Sequence, residues 1–291
     1  MLHGFLNINK SAGLTSHDVV ARVRRLAGQK RVGHGGTLDP AATGVLPVGL
    51  GDATRLLEYL VEGTKQYQAV VRLGISTTTD DAEGSVVAEQ PVPAFELGTL
   101  ERALLPFVGV IQQVPPAFSA IQVNGQRMYD LARRGETPEL AARPVQVLAI
   151  DVLAWHAPDL TLHIHCGKGT YIRAIARDLG RALGCGAHLA ALQRRAVGPL
   201  LLDAAMTLET LQAAPERLAQ ALLPPTAALT DWPSSAVSSA DATRLRNGLA
   251  VRLPQLTGPH AYAHDETGRL VALLHPADDG WRPFKVFGVG E

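Results

Sequence analysis

The residues best suited to chemistry lie in the stretch 30–50, which reads KRVGHGGTLDPAATGVLPVGL. His34 and Asp39 are the acid–base side chains of its central loop, and the glycines around His34 allow positive φ angles or a close approach to a ligand. The apolar run 45–50 predicts a short buried strand directly after the loop. The pattern therefore predicts a carboxylate that a tight loop presents beside a rigid core element, where loop-borne chemistry is usually found.

Two other interpretations of this loop stay open on local chemistry alone. An Asp-Pro step is a common turn signal, in which the aspartate side chain often bonds only its own backbone. A glycine-rich loop can also cradle a phosphate, but neither Gly-Lys-Ser/Thr nor G-x-G-x-x-G is present here.

An alternating run and an acidic turn supply the next candidates. Tyr67 lies in the run 65–74, whose alternation predicts a half-buried strand, and a core aromatic fits that place better than a catalytic group on pattern alone. Asp81 lies in the polar segment 77–84, which predicts a solvated hairpin loop. Its carboxylates also suggest a hard metal site, but the D-x-D-x-D spacing of such sites is absent.

A second basic segment holds Lys168 and Arg173, at a strand end that passes through a glycine turn into a helix with Thr170 as its predicted cap. Backbone N–H groups at a helix start add positive potential to such cations. An ordinary turn-to-helix junction has the same composition, so the segment alone does not decide between the two interpretations.

The H-x-H pattern of His163 and His165 could bind a metal. Both side chains point to one face of the predicted strand 160–166, whereas Cys166 points to the other face and cannot join them. Without a third ligand nearby a structural role is favoured. We expect no metal and no nucleotide cofactor.

Length and composition describe an ordinary globular protein. The 291 residues permit one large domain or two, with 46% hydrophobic and 19% charged residues. Two cysteines are too few for a disulfide framework, which favours a reducing cytoplasm. No basic-then-apolar leader opens the chain and no apolar stretch is long enough for a membrane span, so we expect no membrane partner.

Charge is zero in total but unevenly distributed. Residues 1–34 hold six Lys and Arg against one acid, and residues 165–198 also hold six against one. If the two segments converge in the fold, they form a local basic face suited to nucleic acid. A coding bias explains the ratio of 22 Arg to 5 Lys equally well, though not the clustering.

Periodicity and turn residues predict the elements that must position these groups. Helices are expected between Ser16, as N-cap, and Gly28, then at 52–60, 97–108 and 124–136, and after Thr170. Strands are expected at 4–9, 45–50, 65–74, 109–114, 143–154 and 160–166. Beyond a linker at 223–235, strand-like runs are expected at 250–253, 261–264, 270–274 and 285–289.

Several segments carry, in order along the chain, a resemblance to a known family. The stretch GHGGTLDPAATGVLP, which contains Asp39, resembles the signature of the bacterial tRNA pseudouridine synthases of the TruB family. Segment 115–134 is similar to that family's RNA-closing insert, with Gln122 where lysine is usual. The other similar segments are KSAGLTS at 10–16 (Ser11 replaces a proline), KQYQAVVRLG at 65–74, TTTDDAEG at 77–84, GTYIR at 169–173 and GAHLAALQRRAVG at 186–198.

The resemblance implies an α/β (α+β) fold of the pseudouridine-synthase type, with a mixed, largely antiparallel sheet flanked by helices. It also implies a small C-terminal PUA-like β-barrel. The expected domains are a catalytic domain over 1–233, with a thumb-like RNA-binding insert at about 115–145, and an RNA-binding domain over 234–291.

The same resemblance implies an RNA pseudouridine synthase that isomerises the T-loop uridine at position 55 of tRNA after flipping it out of its stack. Asp39 is then the essential catalytic residue and Arg173 its ion-pair partner. Tyr67 stacks on the target base and Leu192 forms an apolar wall. The other expected active-site residues are His34, Asp81 and Tyr171.

The expected RNA contacts come from basic residues in and near these motifs: Lys10, Lys30, Arg127, Arg133, Lys168 and Arg194. The expected partner is the T-arm of tRNA, without a guide RNA. Because the isomerisation is redox-neutral and needs no group donor, no cofactor is expected. The enzyme is expected to be a cytoplasmic monomer.

Other classes of function stay open. The chain could be an RNA-binding module without activity, although such a module has no need of Asp39, Tyr67 and Arg173 together. It could also resemble the guide-dependent ribonucleoprotein relatives of the family, which carry longer basic extensions. A His/Asp hydrolase is a third alternative, but no serine or cysteine nucleophile lies in a suitable elbow.

Overall fold

The computed structural model describes residues 1–118 and 140–288, and between them the backbone of 122–123 and 126–127. Its strands are β1 Gly4–Lys10, β2 Val32–His34, β3 Thr43–Leu50, β4 Lys65–Leu73, β5 Ile75–Thr77, β6 Val86–Glu89, β7 Gly109–Gln113, β8 Gln122–Val123, β9 Gln126–Arg127, β10 Arg143–His156, β11 Asp159–Cys166, β12 Ala187–Val197, β13 Leu200–Leu201, β14 Ser234–Ala236, β15 Ala261–His264, β16 Leu270–Ala277 and β17 Gly280–Val286. Its α-helices are α1 Ser16–Ala27, α2 Leu57–Glu62, α3 Leu97–Leu104, α4 Ile172–Ala182, α5 Leu208–Ala213 and α6 Ser239–Arg246. None of these described helices has the length and apolar character of a membrane span, α1 having 12 residues.

Nine strands form one sheet, in the order β1-β3-β12-β4-β11-β10-β7, with β2 beside β3 and β13 beside β12. Neighbours along this order run antiparallel except β3 and β12, which are parallel and pair Thr43 and Gly44 with Gln193 and Arg194. The expected mixed, largely antiparallel sheet is therefore confirmed.

Gly44 allows β3 and β12 to meet closely. Its φ is +100°, and a Cβ at this position would lie 2.2 Å from Arg194 O. A side chain is excluded both by the positive φ and by this contact. The approach places the half of β12 that holds Leu192 and Arg194 beside the end of the loop that holds Asp39.

Helix α1 has a different cap from the predicted one. Thr15, not Ser16, is the N-cap: its side chain accepts from Asp18 N, and the Asp18 carboxylate accepts from Thr15 N, forming a capping box. Ser16 is the first helical residue, and its buried hydroxyl bonds to Leu38 N (2.9 Å) and Leu38 O (3.2 Å). Gly28 ends the helix in the left-handed region, as predicted.

Helix α4 begins without its predicted cap. Thr170 Oγ1 donates to Gly167 O (3.2 Å), and Tyr171 is the N-cap residue without a side-chain cap bond. Instead, Gln113 Oε1 accepts from Tyr171 N at 2.8 Å, while Gln113 Nε2 donates to Tyr171 O at 3.1 Å. Strand β7, at the sheet edge, therefore fixes the start of the helix that carries Arg173.

Other segments also differ from prediction, and the strand expected at 285–289 shares only residues 285 and 286 with β17. Segment 52–60 forms a 3₁₀ turn (Gly51–Leu56) before α2, and the end of 97–108 is also a 3₁₀ turn (Leu105–Phe107). Segment 250–253 makes only one bridge among the described residues, Val251 to Trp281 at the outer edge of β17. The helix expected at 124–136 lies largely outside the described residues, and within it β9 pairs with β8 as a strand.

The C-terminal part of the chain forms a second sheet in the order β14-β15-β16-β17. One set of its buried residues forms a core of its own with α6, including Val271, Leu274 and Trp281. A second set packs against the first sheet: Leu270, Leu273 and Phe287 share a core with Phe5, Leu56 and Leu60. The two sheets are thus joined by continuous apolar packing.

Candidate active site

The loop between β2 and β3 holds Asp39 at its surface while its backbone is fixed from inside. Leu38 is buried, and Ser16 bonds both of its polar backbone groups. Asp39 O accepts from Ala42 N at 3.1 Å, which closes the turn after the Asp-Pro step. The Asp39 side chain is 43% exposed and points to Arg173, so its main partner is not its own backbone.

Arg173 joins two carboxylates. Its side chain is only 8% exposed, with Nη2 3.1 Å from Asp39 Oδ2 and Nη1 3.3 Å from Asp81 Oδ2. The same guanidinium donates to Thr79 O (3.2 Å) and Phe118 O (2.9 Å). One buried cation therefore connects the loop of Asp39, the acidic turn and the start of the insert.

Asp81 is held by its own turn and is largely buried. Thr79 Oγ1 and Glu83 N donate to Asp81 Oδ1, and Thr77 Oγ1 donates to Asp81 O at 2.7 Å. Its other carboxylate oxygen faces Arg173. The segment 77–84 is thus the predicted hairpin loop, between β5 and β6, and Asp81 faces the site while Thr78 and Glu83 stay exposed.

The pKa of Asp39 is raised above its ordinary value, chiefly because neighbouring protein atoms displace part of the water around the carboxyl. Arg173 opposes this shift most strongly, the negative charge of Asp81 adds to it, and Lys10 opposes it weakly. Arg173 therefore stabilises the anion of Asp39, the form that acts as a nucleophile or stabilises positive charge.

Tyr67 and Leu192 provide aromatic and apolar surface on neighbouring strands. Tyr67 is 9% exposed, and Leu192 packs against the same core. In the β4–β12 register Tyr67 lies opposite Arg194 and Leu192 opposite Ala69. Burial raises the pKa of Tyr67 while the nearby positive charge of Arg194 opposes the shift, so the phenol stays neutral at physiological pH.

His34 lies at the end of β2, half-buried beside His17 of α1. The two rings meet edge to face with centroids 5.4 Å apart. Burial lowers the pKa of His34, and the charges of His17 and Arg194 lower it further, which favours a neutral imidazole. His34 Nδ1 is buried and has no hydrogen-bond partner among the described residues.

Lys10 and Arg194 hold the loop from inside, which corrects their expected role. Lys10 has no exposed surface: its ammonium donates to Leu14 O (2.7 Å), Ser11 O and Pro40 O, and burial lowers its pKa to about 8. Arg194 is 2% exposed and donates to the carbonyls of Val45, Gly36 and Thr37. Direct contact of either side chain with RNA, as expected from the sequence, is incompatible with this burial.

The other predicted residues lie in varied places. Lys30 is exposed, and Lys168 is exposed with its ammonium on Glu62. Tyr171 is half-buried at the start of α4. Arg127 is described only through its backbone in β9, and Arg133 lies outside the described residues.

Two positioning residues were not identified from the sequence. Ser16 bonds both backbone groups of the residue before Asp39, and Gln113 bonds both backbone groups of Tyr171, two residues before Arg173. Gln113 is 2% exposed. The sequence alone does not mark Gln113, because its burial at the end of the mostly exposed β7 comes from tertiary packing, and a buried amide then requires partners.

Of the H-x-H pair, His163 has local partners, whereas His165 Nε2 is buried without a hydrogen-bond partner among the described residues. His163 Nε2 lies 3.3 Å from Gln66 Oε1, and Nδ1 lies 3.5 Å from the Asp151 carboxylate. In the part of the chain that the structure describes, no group of three or more His, Cys, Asp or Glu side chains is placed to hold a metal ion.

Family models match the chain almost end to end. The TruB family pseudouridylate synthase N-terminal domain matches residues 24–172, the tRNA pseudouridylate synthase B C-terminal domain matches 173–230, and the tRNA Pseudouridine synthase II C-terminal model matches 232–288. The chain belongs to the TruB family of pseudouridylate synthases. The family resemblance and the enzyme class expected from the motifs are confirmed.

Individual relatives agree with the TruB assignment. A tRNA pseudouridine synthase B from Dehalococcoides mccartyi is 46% identical over 290 residues, covering 98% of this chain and 97% of the relative. One from Gloeobacter violaceus is 55% identical over 216 residues, covering 73% and 74%. A chain in a crystal structure of a Cbf5-Nop10-Gar1 complex matches with a TM-score of 0.76 and 26% identity, covering 99% of this chain and 85% of that chain. The expected fold, with its PUA-like C-terminal part, is confirmed.

Proposed function

We propose that this TruB-family enzyme isomerises the T-loop uridine at position 55 of tRNA to pseudouridine, with Asp39 as the catalytic carboxylate. The observation that carries the proposal is the 3.1 Å pair between Asp39 and the buried Arg173. It gives a surface loop an oriented carboxylate whose charge is compensated. The name tRNA pseudouridine synthase B of the relatives supports tRNA as the substrate.

The reaction conserves its atoms and electrons. The N1–C1′ bond breaks, the freed uracil turns, and C5 joins C1′, while C5 loses a proton and N1 carries one. Ionised Asp39 can act as a nucleophile or stabilise positive charge at C1′. Attack on C6, attack on C1′ and removal of the 2′ proton are three routes that share this requirement for the anion.

The target base must leave its stack, at a cost of about a few kcal/mol, before Asp39 can reach it. Tyr67 and Leu192 offer the flipped uracil an aromatic and an apolar wall. His34 lies at the end of β2, directly before the loop that holds Asp39. Its neutral ring either fills the space that the base leaves or stacks on the bases beside that space. The positions of Tyr67 and Leu192 on the neighbouring strands β4 and β12, and the pairing of β12 with β3 after the loop, support these roles.

RNA contacts fall to cations that remain outside the core. We propose that RNA is bound by the exposed Lys30 and Lys168, by the insert at 115–145 with Arg127 and Arg133, and by the C-terminal domain at 234–291. The 1–233 domain carries the chemistry. Arg55 Nη1 donates to Val286 O at 2.5 Å and its guanidinium lies over the Phe287 ring, which supports a C-terminal domain fixed relative to the site.

We further propose that the enzyme acts as a monomer without a guide RNA. Relatives at 46% and 55% identity are called tRNA pseudouridine synthases, whereas similarity to the Cbf5-Nop10-Gar1 structure is lower, at 26%. We place the enzyme in the cytoplasm because tRNA is its proposed substrate and because Cys166 and Cys185 are free, buried thiols.

The test uses the purified 291-residue protein and an unmodified T-arm RNA, in EDTA, with no cofactor and no other RNA. Carbodiimide-stop primer extension then maps pseudouridine. We expect one stop, at the T-loop uridine, and none when that uridine is replaced by cytidine. Tight binding without any conversion would overturn the proposal in favour of an RNA-binding module.

A further inference from the structure

Arg177 lies one turn after Arg173 on α4 and has no part in the chemistry proposed for Asp39. Its side chain is 20% exposed, and its guanidinium makes four hydrogen bonds. Nη1 lies 3.0 Å from Asp80 Oδ2, while Nε and Nη2 contact the two carboxylate oxygens of Asp178 at 2.9 and 3.1 Å. Nη2 also donates to Val114 O at 2.9 Å. One side chain thus connects three separate segments.

The first segment that Arg177 holds is a strained turn. Asp80 has a φ of +61° and is the one non-glycine residue with positive φ that the described ranges contain. Such a conformation persists only where the surroundings impose it. Leu189 N donates to Asp80 O at 3.0 Å, and Arg177 holds the Asp80 carboxylate. The next residue is Asp81, which faces Arg173.

The second segment is the root of the insert, residues 114–118. Arg177 binds its first carbonyl, at Val114, and Arg173 binds its last, at Phe118 (2.9 Å). Because residues four apart lie on the same face of a helix, the two arginines form one surface on α4. That surface contacts Asp39, the acidic turn and the root of the insert.

We propose that Arg177 is a positioning residue for the isomerisation, which holds the acidic turn 77–84 and the root of the insert in register with Arg173. It acts through Asp81 and Arg173 and does not touch the substrate. The inference rests on the proposed function, which it deepens by linking the RNA-binding insert to the catalytic carboxylate.

The first experiment compares Arg177→Ala with Arg181→Ala, one turn further along α4. Arg181 is 76% exposed and only approaches Asp178, at 3.7 Å, so it controls for the loss of one charge from this helix. With saturating tRNA, Arg177→Ala should lower kcat about 10- to 100-fold with a smaller change in KM. Arg181→Ala should stay within about 2-fold of wild type. Equal rates for wild type and Arg177→Ala, or equal losses in both variants, would overturn the proposal.

The second variant separates positioning from a general loss of structure. Glycine adopts a φ of +61° without steric cost, so Asp80→Gly removes the strain and the carboxylate that Arg177 neutralises. In the Arg177→Ala background, Asp80→Gly should therefore restore kcat about 5-fold or more. A double variant as slow as Arg177→Ala, or slower, would overturn the proposed link through Asp80.

Amide hydrogen exchange gives a readout that is independent of activity. Peptides covering 77–84 and 110–118 should exchange faster in Arg177→Ala than in wild type, whereas Arg181→Ala should match wild type. Unchanged exchange in both peptides would refute the positioning role. If the wild-type protein does not convert the T-arm uridine, the proposed function fails, and the exchange data still decide whether Arg177 holds these segments.

Discussion

Asp39 shares its counter-ion with a second carboxylate. Arg173 lies 3.1 Å from Asp39 and 3.3 Å from Asp81, so a single positive charge serves two negative ones. Burial and Asp81 both raise the pKa of Asp39, whereas Arg173 lowers it. At the scale of single residues, the ionisation of the proposed catalytic carboxylate therefore depends on its neighbour in the acidic turn.

Asp81→Asn should shift the acid limb of the rate profile to lower pH. The substitution removes a negative charge, which lowers the pKa of Asp39. Because the anion of Asp39 is the proposed active form, activity should be lost as pH falls through that pKa, and a lower pKa should move this loss to lower pH. Single-turnover rates over about pH 4–7 measure this shift, with the rates of each protein normalised to its own plateau.

The exposed Glu83 provides the matched control in the same turn, since the charges that shift the pKa of Asp39 are those of Arg173, Asp81 and Lys10. Glu83→Gln should leave the acid limb where wild type has it. An Asp81→Asn limb that stays in place or moves to higher pH would contradict the coupling between the two carboxylates.

At the scale of elements, three parts of the fold hold one loop. Lys10 at the end of β1 bonds Pro40 O, Ser16 at the start of α1 bonds Leu38, and Arg194 of β12 bonds the carbonyls of Gly36 and Thr37. All three side chains are buried. Their partners are backbone groups, so the shape of the loop does not depend on the loop's own side chains. Asp39 is therefore held in one position.

Ser16→Ala should slow isomerisation, while Thr15→Ala should not. Both changes remove hydrogen bonds at the same helix start, and each should cost about 1 kcal/mol of unfolding free energy. Only Ser16 bonds the residue before Asp39, and a displaced carboxylate should lose about 10-fold or more in single-turnover rate. Urea unfolding and rate measurements on both variants provide the comparison, and equal rates for the two would contradict it.

Much of this arrangement was predictable from sequence. The alternating run 65–74 and the helix ending at Gly28 follow from local rules, and the motifs predicted a pair between Asp39 and Arg173. Burial of Lys10 was not predictable from its neighbours, because a polar loop follows it and the carbonyls that bind it come from folding. The Thr15 cap could have been found, since Asp18 three residues later completes a capping box.

Other features depend on tertiary contact alone. The left-handed turn at Asp80 has no glycine to mark it and is held by Arg177, almost a hundred residues away along the chain. The meeting of β3 and β12 likewise requires Gly44, but a lone glycine in an apolar run does not tell which strand it approaches. Local patterns carry no information on such pairs.

At the scale of the whole molecule, a protein of zero net charge must bind a polyanion. The basic segments 1–34 and 165–198 do meet in the fold, since Lys10 and Arg194 both bind the loop of Asp39. Those two cations are nevertheless buried. Direct phosphate contacts therefore depend on the exposed cations, of which Lys30 is one.

Lys30→Gln should reduce the salt dependence of tRNA binding. Loss of one phosphate contact lowers the slope of log K against log salt concentration by about 0.7–0.9. Lys10→Met, a buried cation, should leave that slope unchanged when measured on folded protein. Filter-binding titrations across a salt series measure these slopes. A smaller slope for Lys10→Met than for Lys30→Gln would contradict the proposal that Lys30, and not Lys10, contacts phosphate.

The most direct test of the account is the single-turnover conversion of T-arm RNA by wild type and by Asp39→Asn, with RNA binding measured in parallel. The amide keeps the size of the side chain but cannot carry the negative charge, and the exposed loop position should tolerate it. We predict conversion by wild type alone, with dissociation constants that agree within about 3-fold. Equal conversion by both proteins would contradict the assignment of Asp39 as the catalytic carboxylate.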